Sequence, residues 1–299
     1  RRFELFDFKW LQAFCKRRKS NASDRPPTEW SVWNVSLETA FAPPLLMLAR
    51  RLLPVPAVDT SAKSAGGWCC SDAASFRMVK SANEIVLLKD VSQRCESALD
   101  AAIASLHVGQ AIADVEVEYR KSIGAMGGDT RWLIINQDGL NSGRIERDKV
   151  IKIDSVGDYK GYVGDIGRSI VVGNPSDETA GRNEANAKAL STAYAAIRPG
   201  MPFEEVSRIV MDVMQQEGYN GFAAAHNVGI DHTDQPNSLA NPTRRPEPLK
   251  FSAGTVFTID VPYLEIGYGS SHVEDMMVCT DKGAVPLSSG DVNLRVRKA

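Results

Sequence analysis

The segment VIKIDSVGDYKGYVGDIGR, residues 150–168, decides the fold because it joins two apolar strand patterns that each carry an aspartate. Asp154 ends the first apolar run, and Asp165 stands at the start of the second. The glycine-containing stretch between them, residues 157–161, suits a hairpin turn. The segment therefore predicts a β-hairpin that sets two carboxylates on neighbouring strands, close enough to share one ion.

A second segment repeats this plan further along the chain. Asp260 ends an apolar strand pattern that begins at Thr255, and Glu274 lies in the next strand pattern, over 273–279. Residues 267–269, Gly-Tyr-Gly, separate the two patterns. Two such hairpins would bring four carboxylates to one place. A buried carboxylate without a partner is costly, so this group must find a cation, hydrogen-bond donors or a metal.

Helical patterns precede both hairpins. Ser81 and Glu84 form a capping box at the start of a long amphipathic run, and Ser176 is a suitable N-cap for a third helix. The repeated order of helix, helix and hairpin predicts a pseudo-twofold α+β domain, with chance alignment of a few common residues as the alternative. The predicted helices cover residues 81–109, 112–123, 176–198 and 203–217.

Three of the four histidines accompany the second hairpin. His226 and His232 flank a short loop, and His272 stands two residues before Glu274, which on a strand directs both side chains to the same face. Carboxylates combined with imidazoles suit Mn, Co, Zn or Fe. Taken singly, each residue also fits an N-cap, an ion pair or a core position. Taken together on strand ends, they favour a metal site.

Composition excludes several other classes of function. The chain has 299 residues, with Lys+Arg 35 against Asp+Glu 37 and a net charge of −2, so nothing in the charge favours nucleic acid or an anionic membrane as a partner. The longest apolar run, residues 41–49, is far shorter than the roughly 20 residues of a membrane span. Five cysteines, an odd and small number, favour a reducing, cytoplasmic setting.

The first 75 residues differ in character from the rest. Residues 1–30 are basic and aromatic, which fits a nucleic-acid arm, a membrane-surface helix or, preferably, a terminal helix that packs its aromatic side chains on the protein, because acidic residues interrupt the charge. Residues 31–60 have a strand–helix–strand pattern. The sequence therefore predicts a partial or atypical N-terminal α/β domain plus linker over 1–75, and the main domain over 76–299.

Across about residues 76–290, these motifs resemble the pita-bread metallopeptidase superfamily, which includes methionine aminopeptidase, prolidase, aminopeptidase P and creatinase. The intervals between the paired acids match its prolidase-like branch. The resemblance implies a pita-bread catalytic domain, a homodimer and two divalent metal ions, Mn, Co or Zn. The implied metal ligands are Asp154, Asp165, His226, Asp260 and Glu274.

The resemblance also implies a reaction. A water bridging the two metals would attack a scissile amide, Asp260 or Glu274 would move its proton, and His232 would contact the substrate or the oxyanion. His272 would bind substrate or add a ligand. The predicted function is hydrolysis of small peptides or amides, of the Xaa-Pro dipeptidase or aminopeptidase type. The alternatives are a non-catalytic peptide- or protein-binding member and a metal-free, creatinase-like hydrolase or lyase.

The sequence departs from the family pattern at identifiable positions. Asp260 stands where a glutamate is usual, and the shorter side chain reduces its reach by one carbon. His272 stands where an arginine is common. Residues 136–150 lack a histidine that many relatives carry, and the N-terminal domain is incomplete where the prolidase-like branch has a full one.

Overall fold

The computed structural model describes residues 77–299, apart from 233, 238–248 and 266–268. The predicted N-terminal domain and linker, residues 1–75, lie outside the described residues, so that domain division stays a prediction. No helix in the described part of the chain is both long enough and apolar enough to cross a membrane.

Within the described residues, four helices come in two consecutive pairs, as the sequence predicts. Ser81 caps the first helix, and both hydrogen bonds of its capping box with Glu84 form. Ser176 caps the third helix through the backbone of Thr179. The helices are α1 (Ala82–Ser105), α2 (Ile112–Ala125), α3 (Asp177–Ala196) and α4 (Phe203–Gln216).

The strands form two sheets. The strands of the first sheet are β1 (Asp129–Gln137), β2 (Val150–Tyr159), β3 (Tyr162–Val172) and β10 (Arg295–Arg297). Those of the second are β4 (Ala224–Asn227), β5 (Asp234–Asn237), β6 (Val256–Glu265), β7 (Gly269–Val273), β8 (Met276–Thr280) and β9 (Gly283–Pro286). The first sheet has the order β1-β2-β3-β10, with β10 parallel to β3, and the second has the order β5-β4-β6-β8-β9, with β7 paired to β6.

The first hairpin forms as predicted, but its strands are longer. The turn consists of Lys160 and Gly161, both with positive φ (53° and 81°), so Asp154 lies in the middle of β2 and not at a strand end. Gly157 lies in β2, and glycine is needed there because α2 packs closely: a Cβ on Gly157 would lie 2.5 Å from Ile123 Cδ1. The glycine thus serves helix-on-sheet packing instead of the turn.

The second hairpin also differs from the expectation. Asp260 lies in the middle of β6, which continues to Glu265. The predicted strand over 273–279 is two strands, β7 and β8, interrupted at Glu274 and Asp275. Because of this interruption, β7 pairs with residues 261–265 of β6, whereas β8 pairs with residues 256–258 of the same strand.

Two hydrophobic clusters follow the two halves of the chain. One is built mainly by α1, α2 and the first sheet, with Leu88, Val91 and Leu99 fully or almost fully buried. The other is built by α3, α4 and the second sheet, where Phe203 stacks on Phe251 with 3.9 Å between ring centroids. Each sheet therefore packs mainly on its own helix pair, although the first cluster also takes in Val256 and Met276 from the second sheet.

Candidate metal centre

The predicted ligands meet where the two sheets join. Gly167, opposite Asp154 on the neighbouring strand, exchanges two backbone hydrogen bonds with Glu274, at 3.2 and 3.1 Å. On the other side, His226 on β4 pairs with Thr258 on β6, which places it next to Asp260. The five carboxylate and imidazole ligands proposed from the sequence therefore come together, although they belong to both halves.

Asp165 is fully buried and faces two imidazoles. His232 Nε2 lies 3.2 Å from Asp165 Oδ2, and His226 Nε2 lies 3.7 Å from the same oxygen. The His232 side chain is 29% exposed and packs edge-on to Trp132, with 4.9 Å between ring centroids. These three ligand residues form one group that could hold a metal ion.

His226 also belongs to a second potential metal group, with Asp260 and Glu274. Its Nε2 lies 3.6 Å from Asp260 Oδ2 and 3.9 Å from Glu274 Oε1. Thr258 donates a hydrogen bond of 2.8 Å to Glu274 Oε1, which fixes the orientation of this carboxylate.

Asp154, His272 and Glu274 form the third potential metal group. His272 Nε2 lies 2.8 Å from Glu274 Oε2 and 3.7 Å from Asp154 Oδ2, so His272 on β7 and Glu274, the residue after this strand, direct their side chains to one face as expected. His272 is 1% exposed, which leaves it almost no surface for a substrate. The structure therefore places His272 among the carboxylates of the candidate centre.

Two residues of the centre were missed from the sequence. Lys152 Nζ lies 3.1 Å from Asp154 Oδ2, and its position two residues before Asp154 on a strand was the available signal. Arg168, buried at 1% exposure, donates to the backbone oxygens of Gly167 and Glu274 and pairs with Asp275 at 2.8 Å. Arg168 thus fastens the junction that carries Glu274.

The crowded acids and imidazoles perturb one another. Burial raises the pKa of Asp165, and burial together with the charges of Asp165 and Asp260 raises the pKa of Glu274 well above its ordinary value. Burial opposes the charged form of His226, yet Asp260 and Asp165 raise its pKa to about 9. Asp260 has a lowered pKa because Glu274 and His226 outweigh the effect of its burial. The pKa of His272 is lowered by burial.

Several buried ligand atoms have no aligned hydrogen-bond partner among the described residues. A buried polar atom without a partner costs about 1–3 kcal/mol, so their convergence on one place needs an explanation. A divalent cation supplies one, since it would satisfy oxygen and imidazole ligands together. The residues present therefore fit a metal. The atoms are Asp154 Oδ1, Asp165 Oδ1, Asp165 Oδ2, His226 Nε2 and Asp260 Oδ1.

Replacing Gly167 with alanine should disturb this centre and destabilise the fold. A Cβ at Gly167 would overlap the ring of His272, which is buried and cannot move freely. We expect Gly167→Ala to lower the free energy of unfolding by about 1–3 kcal/mol, measured by urea denaturation. Gly124→Ala is the matched control, because a Cβ there meets nothing within 4 Å. Equal midpoints for the two variants would contradict the close approach of His272.

The comparisons with known proteins agree with this arrangement. A family model described as metallopeptidase family M24 matches residues 128–281. The Xaa-Pro dipeptidase of Pyrococcus furiosus is 26% identical over 232 residues, which cover 73% of this chain and 65% of that protein. The chain thus spans less than two thirds of the length of this relative.

Solved structures with the same architecture support the fold. Dipeptidase PepE from Mycobacterium ulcerans matches with a TM-score of 0.67 at 24% identity, covering 75% of this chain and 63% of that one. X-Pro aminopeptidase from Thermotoga maritima matches with a TM-score of 0.68 at 20% identity, covering 76% and 66%. The predicted α+β pita-bread fold of the prolidase-like branch is confirmed. Because the family model matches more than half of its residues, the chain belongs to metallopeptidase family M24.

Proposed function

We propose that this protein is a dinuclear-metal-dependent hydrolase of small peptides or amides, of the Xaa-Pro dipeptidase or aminopeptidase type. The observation that carries the proposal is the convergence, from both halves of the fold, of buried ligand atoms that have no aligned hydrogen-bond partner in the described part of the chain. The names of the relatives, Xaa-Pro dipeptidase and X-Pro aminopeptidase, support the substrate class.

The proposed ligands divide into overlapping sets. Glu274 belongs to two of the three potential metal groups, and its two carboxylate oxygens could serve both. His226 also belongs to two, but its Nε2 has one lone pair and would hold a single ion. Divalent ions held here would supply a Lewis acid for the amide carbonyl and activate water near neutral pH. The proposed ligands are Asp154, Asp165, His226, Asp260 and Glu274.

We assign the proton-moving role to Asp260 in preference to Glu274. Glu274 is 1% exposed and both of its carboxylate oxygens are engaged, by Thr258 and His272. Asp260 has a 24% exposed side chain, and its buried Oδ1 accepts no hydrogen bond from the described residues. A carboxylate with an uncommitted oxygen and partial access to water can take a proton from water and pass it to the leaving amine.

His232 and His272 receive different roles. His232 is partly exposed and is held by Asp165 and Trp132, so its imidazole can reach a substrate carbonyl or the oxyanion formed from it. His272 is buried against Glu274, so we propose that it orients this carboxylate and does not bind substrate. The homodimer and the cytoplasmic location remain predictions from the sequence.

A metal-dependent peptidase assay tests the proposal. The full chain is stripped of metal, reloaded separately with Mn²⁺, Co²⁺ or Zn²⁺, and given Xaa-Pro dipeptides beside Xaa-Ala dipeptides and N-acylated Xaa-Pro. We expect only the metal-loaded protein to release proline from the Xaa-Pro dipeptides. Proline release that persists without metal would favour the metal-free hydrolase, and metal-loaded protein that binds these peptides without cleaving them would favour the binding protein.

A further inference from the structure

The two ends of the centre differ in how the protein satisfies their ligand atoms. At the Asp165 end, formed by Asp165, His226 and His232, both oxygens of Asp165 and Nε2 of His226 lack an aligned hydrogen-bond partner among the described residues. At the Asp154 end, formed by Asp154, His272 and Glu274, Asp154 Oδ1 and His272 Nδ1 lack an aligned partner among the described residues as well, but a lysine lies beside the other oxygen of Asp154. His272 contacts Glu274 at 2.8 Å, and Lys152 contacts Asp154 at 3.1 Å.

Lys152 brings a full positive charge to the Asp154 end. Its side chain is 15% exposed and that of Asp154 is 9% exposed, so water screens their attraction only weakly. Other cations near the junction are engaged elsewhere: Arg168 pairs with Asp275, and Lys149 pairs with Asp138. Lys152 is therefore the basic side chain in position to neutralise Asp154.

An ion entering the Asp154 end has to contend with this ammonium group. Both species carry positive charge and both need the Asp154 carboxylate, so their binding is antagonistic. A cleft of about 260 Å³ adjoins Lys152, lined also by Asn136, Pro262 and Ser270. The cleft gives the lysine side chain room to withdraw, so competition is expected instead of complete exclusion.

We propose that Lys152 is a resident cation of the Asp154 end that competes with a divalent ion for the Asp154 carboxylate, and so lowers the affinity of this end for the ion. This inference rests on the proposed function and refines it. It makes Lys152 a residue that sets metal affinity through Asp154, without being a ligand.

Manganese binding to the metal-free full chain tests the proposal. Isothermal titration with Mn²⁺ should give two unequal steps, and dialysis against metal-free buffer should leave close to one ion per chain by elemental analysis. Lys152→Met removes the charge and keeps an unbranched chain, so it should tighten the weaker step by about tenfold or more. Lys152→Arg should keep the two steps unequal.

Control variants separate this effect from general surface charge. Lys149→Met removes a lysine at the start of the same strand, where it pairs with Asp138, and should leave both steps unchanged. Lys152→Gln provides a second neutral variant, and far-UV circular dichroism checks that each variant folds. Electron paramagnetic resonance of bound Mn²⁺ should show coupled ions in Lys152→Met at metal concentrations where the parent chain shows a single ion.

The outcomes distinguish this proposal from the proposed function. Two ions bound with equal affinity by the parent chain, or an unchanged weaker step in both neutral variants, would overturn the role of Lys152 and leave the metallohydrolase intact. A parent chain that binds no Mn²⁺, Co²⁺ or Zn²⁺ would overturn the dinuclear function itself, and the competition by Lys152 with it.

Discussion

Removing the metal with a chelator is expected to lower the melting temperature of the loaded protein by about 5–10 °C. An ion present at about 100 times its dissociation constant stabilises the folded state by about 2.7 kcal/mol, and each kcal/mol corresponds to about 2–4 °C for a domain of this size. The stabilisation arises because the ion satisfies buried atoms of Asp165, His226 and Asp260 that otherwise lack partners. Differential scanning calorimetry with and without EDTA measures the change.

The size of this change should depend on pH. The raised pKa values of Asp165 and Glu274 mean that the metal-free fold favours their protonated forms, so their contribution to stability is present at low pH and is lost as pH rises. His226, with a pKa raised to about 9, acts in the same direction, whereas the lowered pKa of Asp260 matters only in acid. Metal binding also requires deprotonated ligands. The fall in melting temperature should therefore be larger near pH 8 than near pH 6, and an unchanged melting temperature at both would contradict the metal centre.

The second large effect is expected from Asp165→Asn. The amide keeps the shape of the side chain but loses the charge at the centre of the ligand set, so the affinity for the ion at the Asp165 end should fall by at least about 100-fold. The metal-dependent rise in melting temperature and the hydrolysis of peptides should both disappear. The metal-free variant should melt no lower than the metal-free parent, because a buried carboxylate without an aligned partner has been replaced by a neutral group.

Asp129→Asn is the matched control for this variant. Asp129 begins β1 and is exposed, so the same chemical change there should leave metal content, activity and melting temperature as in the parent chain. Elemental analysis and calorimetry on the two variants side by side give the comparison. Retention of metal-dependent stabilisation by Asp165→Asn would exclude Asp165 as a ligand.

Helix positions and the first hairpin were predictable because their signals are local. The capping box of Ser81 and Glu84, the cap at Ser176 and the turn residue Gly161 act on neighbours a few positions away. Strand lengths were less predictable. Gly157 looks like part of a turn in the sequence, but its small size is required by Ile123 on a helix far along the chain.

The convergence of the candidate ligands was predictable for a different reason. Acidic residues within apolar strand patterns need partners, and the repeated order of helices, strand and acid indicated that both pairs of acids lie in related places. Lys152 was missed because a lysine in a strand is normally solvent-exposed, whereas here it lies beside Asp154 with a 15% exposed side chain, next to Pro262 and Ser270 of the second sheet. The buried position of His272 likewise depends on the absence of a side chain at Gly167, which no local pattern reveals.

The hydrogen bonds between Gly167 and Glu274 have a consequence for the order of events during folding. They join two segments that each pack mainly on their own helix pair, and the prospective ligands are divided between those segments. A chain in which only one segment had formed would therefore hold part of a ligand set and have little to offer an ion. The complete ligand set would then appear in a single step, at the moment when the halves dock, and a partly synthesised chain would lack it.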